Sequence, residues 1–92
     1  MSHSSSNRID RMHTLLTALQ PTQIEITDDS HKHVGHAGAR DGAGHYQLRI
    51  VSVQFTGKPT LARHRMIYSA LGEMMKHDIH ALNITAITPE EI

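Results

Sequence analysis

Between residues 55 and 84 the spacing of apolar side chains changes from helical to alternating, and the rest of the chain has to pack on that unit. Ile67, Ala70, Leu71, Met74 and Met75 return to one side every turn, while Arg65, Ser69, Glu73 and Lys76 fall largely on the other. This predicts one long amphipathic helix, entered through the turn Gly57-Lys58-Pro59-Thr60 with Thr60 as its cap. Leu82, Ile84 and Ala86 then alternate with Asn83 and Thr85, the period of a strand with one buried face. If His80 opens that strand, parity places its ring on the side of Leu82 and Ile84.

Upstream, Ile9, Met12, Leu15, Leu16 and Leu19 recur at helical spacing and predict a first helix from about Arg8 to Leu19. Asn7 and Asp10 resemble a capping arrangement, and Pro21 stops the helix. Gln23-Ile24-Glu25-Ile26-Thr27 alternates and reads as a strand, as does the stretch from His45 to Val53, where Tyr46, Leu48 and Ile50 share a face. The connection from Asp28 to Gly44 has no periodicity, and its length is typical of functional or mobile loops. Thr88-Pro89-Glu90-Glu91 reads as a tail or a frayed turn. Residues 1–6 are expected to be a disordered head and 7–92 a single domain. The first two strands should pair antiparallel, and the second helix should deliver the third strand into the same sheet. The expected architecture is an α+β two-layer sandwich in the order α-β-β-α-β, with a three-stranded mixed sheet and both helices on one face.

Composition narrows the function classes. The 92 residues suffice for one core, and nine Lys and Arg balance nine Asp and Glu. That neutrality counts against binding nucleic acid mainly through phosphates. Cysteine is absent, so disulfides, thiol catalysis and an all-thiolate cluster built by this chain alone are excluded. The polar start has no apolar core of a signal peptide, no stretch is long enough to span a membrane, and the expected compartment is cytoplasmic. No nucleophile has an evident base, and the acidic residues are not grouped as an acid/base pair, so the expectation is a non-enzyme.

Nine histidines are the unusual feature. His3 and His13 are expected to be solvated. His77 suits the negative end of a helix dipole, and His64 reads as a packed structural residue. His45 opens the second strand on the face opposite Tyr46 and bounds a site without earning a ligand role. His31, His33 and His36 cluster on the long loop, where imidazoles meet without competing with a ladder; neutral imidazole suits zinc, copper, nickel and iron. For His80 two meanings stand side by side: a ring bonded to a neighbouring carbonyl, or a rigidly held ligand facing the histidine loop.

The succession Asp29-Ser30-His31-Lys32-His33, Gly44-His45-Tyr46, Ile50-Val51-Ser52, Phe55-Thr56-Gly57, Arg63-His64-Arg65-Met66-Ile67-Tyr68 and Ile79-His80-Ala81-Leu82 resembles the BolA family from the first helix to Pro89. The order FxG, RHR, HAL is specific as a set. The resemblance implies a fold similar to the class II KH domain and a monothiol glutaredoxin as partner. It further implies a [2Fe–2S] cluster shared with that glutaredoxin and its glutathione. The histidine of the HAL segment, here His80, is one implied ligand. The other lies three residues after the serine of the S-x-x-H/C stretch, which is His33 counted from Ser30; His31 and His36 stand by as alternative or supporting groups. Two imidazoles on one iron and two thiolates on the other is an established arrangement, and neutral ligands raise the potential.

The leading expectation is therefore a non-enzymatic adaptor in iron–sulfur trafficking or iron sensing, with the exposed parts of the second helix and third strand near His80 as the partner surface. The alternative is a transcriptional regulator that binds DNA through the KH-like fold, with Lys58, Arg63 and Arg65, joined by Arg49, as contacts. Gly57-Lys58-Pro59-Thr60 lacks the second glycine of the GXXG loop with which KH domains grip backbone. A plain zinc site on the histidine loop ranks third.

Overall fold

A computed structural model of the chain describes the backbone of residues 5–29 and 44–92, with side chains from Asn7 onward. The first helix, α1, runs Ser5–Leu16 and tightens into a 3₁₀ turn over Thr17–Leu19. It begins inside the stretch assigned to the head, so Asn7 and Asp10 lie within the helix and do not cap it. Gln20 adopts a left-handed conformation (φ 53°), and Pro21 then forbids continuation.

The strands β1 (Gln23–Asp28), β2 (Gly44–Val51) and β3 (Ile79–Ile87) form a mixed sheet with β2 in the centre. β1 runs antiparallel to β2, with Glu25 opposite Arg49, and β3 runs parallel to it, with Leu48 opposite Ile84. Tyr46, Leu48 and Ile50 are buried, and they join Met12, Leu16, Phe55, Ile67, Leu71, Met74 and Ile79 in one core. The opposite face of the sheet carries exposed Glu25, Thr27, Gln47, Asn83 and Thr85. One face is thus covered by helices and the other faces water, the expected two-layer arrangement.

Three boundaries differ from the sequence reading. β2 stops at Val51 because Ser52 leaves the ladder: its Oγ donates to the Leu19 carbonyl at 2.5 Å and accepts from the Gln54 N–H. A 3₁₀ turn over Val53–Phe55 then drives Phe55 into the core. The long helix is two helices, α2 (Thr60–Leu71) and α3 (Met74–His77). Gly72 takes φ 55°, and its N–H closes α2 onto the Tyr68 carbonyl at 2.9 Å. The apolar stripe survives the break, since Met74 is buried on the far side of it. Thr60 is the first helical residue rather than the cap; Pro59 occupies that position.

The C-terminal stretch is not frayed. Pro89–Glu91 forms a 3₁₀ turn in which the Thr88 N–H donates to Glu91 Oε1 at 2.8 Å and the Glu91 N–H donates to the Thr88 carbonyl at 3.0 Å.

Candidate functional site

The geometry at the start of β3 departs from simple alternation. Gly44 faces Ile79, but His45 faces Ala81, and pairing then continues one to one to Val51 and Ile87. One residue is therefore extra on β3, and it is His80, a bulge in a parallel pair where bulges are rare. Ile79 stays buried and Leu82 half-buried, whereas His80 is exposed. The expected parity of His80 with Leu82 and Ile84 is thus corrected: the extra residue breaks the two-residue period and sends the ring outward. The ring therefore does not sit in the mouth of the apolar face but is accessible to solvent.

His80 does not stand alone. Its ring lies 4.9 Å from the His45 ring, centroid to centroid, with the planes inclined at 48°. His45 is half-buried on the face opposite Tyr46, and its carbonyl accepts the Asp29 N–H at 2.7 Å. A hollow of about 230 Å³ beside it is lined by Asp29, His45, Tyr46, Gln47, Ala81 and Asn83. The Gln47 amide donates to the Asp29 carboxylate across this hollow. Sequence reasoning gave His45 no such neighbour, because the two histidines are 35 positions apart and meet only through the β2–β3 register.

The loop histidines His31, His33 and His36 lie outside the described residues. The points where that loop leaves and rejoins the sheet are described, and both adjoin the histidine pair. Asp29 is tied to His45, and the Gly44 N–H donates to the Asp78 carbonyl at 3.0 Å, two residues before His80. Asp78 is itself held by Arg8 and Arg11 of α1 at 3.4 and 3.3 Å, which anchors the approach to β3.

The remaining histidines have local explanations. His64 is half-buried, edge-on to Tyr68 with ring centroids 6.4 Å apart, in keeping with a packing role. His77 is exposed in the last turn of α3, with Nε2 3.3 Å from Glu73. His13 is half-buried rather than fully solvated.

The cations proposed for nucleic acid are not equivalent. Lys58 and Arg65 are exposed. Arg63 is committed internally: Nε donates to the Lys58 carbonyl at 2.7 Å, Nη1 to the Ala86 carbonyl at 2.9 Å, and both Nη atoms to the Glu91 carboxylate. Its side chain is only 13% exposed. Arg49 is half-buried and donates to Gln23 Oε1 at 3.1 Å. A patch of four free cations is therefore reduced to two, because the guanidinium fork satisfies carboxylate and carbonyl partners within the fold.

Among the described residues no group of three or more His, Cys, Asp or Glu side chains converges as a metal would require, and no helix is long and apolar enough to cross a membrane. A borderline-soft nitrogen donor is instead presented to solvent at a strand end. Neutral imidazole is a donor that suits zinc, copper, nickel and iron.

Comparison with known proteins agrees with this fold. Residues 15–91 match the family model described as BolA-like protein. The chain belongs to the BolA family. It is 46% identical over 79 residues to SufE-like protein 1, chloroplastic/mitochondrial, of Arabidopsis thaliana, covering 80% of this chain but 21% of that protein. It is 40% identical over 77 residues to the DNA-binding transcriptional regulator BolA of Escherichia coli (strain K12), covering 84% of this chain and 70% of that one. The solved BolA domain of SufE1 from Arabidopsis thaliana superposes with a TM-score of 0.83 at 41% identity, over 99% of this chain and 100% of that domain. Since the first relative carries an organellar name, kinship does not carry a cytoplasmic compartment over to this chain.

Proposed function

We propose that this protein is a non-enzymatic adaptor that pairs with a monothiol glutaredoxin through a shared [2Fe–2S] cluster, in cytoplasmic iron–sulfur trafficking or iron sensing. The observation that carries the reading is the exposed His80 on its bulge, beside both roots of the histidine loop. His80 on a strand is the fixed ligand, and His33 the adaptable one. His33 lies four positions after Asp29, a span of at most about 14 Å for extended chain, which tethers the loop ligand to the His80 end of the sheet. His31, two positions after Asp29, and His36, seven positions after it, are tethered to the same end. The partner supplies the thiolates, from its cysteine and from glutathione, that this cysteine-free chain lacks. An imidazole ligand must give up any competing proton before it can bind the metal.

The test is to mix the protein with cluster-loaded monothiol glutaredoxin and follow visible absorption and circular dichroism. The spectra should change with wild type. His33→Ala should alter them and make the cluster more labile; a null result there with an effect of His36→Ala moves the loop ligand.

A second reading, DNA-binding regulator, is favoured by one observation, the 40% identity to the Escherichia coli protein named a DNA-binding transcriptional regulator. Lys58 and Arg65 are the exposed cations that would meet phosphate. Binding that prefers one sequence and survives moderate salt would promote it.

A further inference from the structure

We propose that His45 is a positioning residue for His80: its half-buried ring is the wall against which the exposed imidazole is held ready for metal. The inference rests on the ligand role given to His80 above, and adds what keeps that ligand in place. A histidine on a bulge has lost the regular cross-strand neighbour that fixes a side chain in a sheet. Exposed side chains of this kind hop between rotamers on the picosecond-to-nanosecond scale. The centroid separation of 4.9 Å and the 48° inclination fall within the range of aromatic pairs, so the His80 ring has a ring neighbour on one side and part of its rotamer space is closed. The wall is firm. His45 sits in the central strand, its carbonyl holds Asp29, and the neighbouring Tyr46 and Gly44 are buried. Groups that orient a metal ligand from behind typically change metal affinity by about tenfold or more when removed.

The test begins on the protein alone, without cluster. Side-chain carbon and nitrogen NMR relaxation of His80 is compared in wild type, His45→Leu and His45→Phe. The Leu variant should release His80 into rotamer averaging while β2 and β3 amide shifts stay in place, and the Phe variant, which restores a planar face, should keep it ordered. Cluster sharing with glutaredoxin should then become about tenfold more labile in the Leu variant and be rescued by Phe. A His80 ring indifferent to His45→Leu, or a Phe variant no better than Leu, overturns the inference. Failure of the ligand reading has a different signature: the ordering of His80 by residue 45 persists in the isolated protein, but neither His45→Leu nor His80→Ala changes the cluster spectra.

Discussion

The guanidinium of Arg63 grips the carboxylate of Glu91 with both prongs, Nη1 to Oε1 at 2.7 Å and Nη2 to Oε2 at 2.9 Å. This pairing, with the Thr88 N–H as a further donor, pulls the Glu91 carboxyl down to about 2 from an ordinary 4.5. A carboxyl that is more acidic folded than unfolded adds stability above its unfolded value and loses it as pH falls through the folded one. The contribution of the clasp should therefore be present above pH 4.5 and disappear between about 4.5 and 2. Glu91 is 43% exposed, so solvent screens the pair and the effect is modest. Acid titration of thermal unfolding should show a shallower slope in that window for Glu91→Gln than for wild type; parallel curves would refute the assignment.

Arg63→Ala is expected to lower the melting temperature more than Arg65→Ala, because it also strips donors from the Lys58 and Ala86 carbonyls, whereas Arg65 is exposed. If Arg63 instead served DNA, its loss would weaken binding and leave stability untouched.

Gly44 lies under the Tyr46 ring: a Cβ at position 44 would sit 2.5 Å from Cε2 and Oη. Gly44→Ala should therefore destabilise by about 1–3 kcal/mol, the usual cost of overpacking. Tyr46 is buried, and its hydroxyl has no hydrogen-bond partner among the described residues. Tyr46→Phe should be neutral or stabilising by about 1 kcal/mol, since it removes a buried polar group left unsatisfied. Chemical denaturation of the two variants checks both signs.

His80→Ala removes an exposed side chain and should change stability by no more than about 0.5 kcal/mol. It should nevertheless abolish the spectral change on mixing with cluster-loaded glutaredoxin. A variant that still perturbs the cluster would end the ligand role.

His64→Ala should behave in the opposite way. The half-buried ring packs on Tyr68, and its loss should cost about 0.5–1.5 kcal/mol of stability with cluster spectra unchanged.

Local periodicity was enough to determine the order of elements, the buried faces and the mixed sheet. Whether Tyr46, Leu48 and Ile50 are inside depends on a two-residue repeat written in the chain itself. The family was legible too, because its motifs are runs of adjacent residues. The break at Gly72 had a signal in the glycine, but the apolar stripe running past it to Met74 concealed the change of direction. The role of Arg63 had none: a basic residue between alanine and histidine reads the same whether it faces water or a carboxylate 28 positions away.

Only the tertiary structure decided the orientation of His80 and its meeting with His45. Both follow from the register between β2 and β3, where a single extra residue reverses the side on which a ring emerges. Register is set by cross-strand pairing and packing of distant segments, so no count along one strand reveals it. The chain spelled out which imidazoles were available; the sheet determined which of them share a rim.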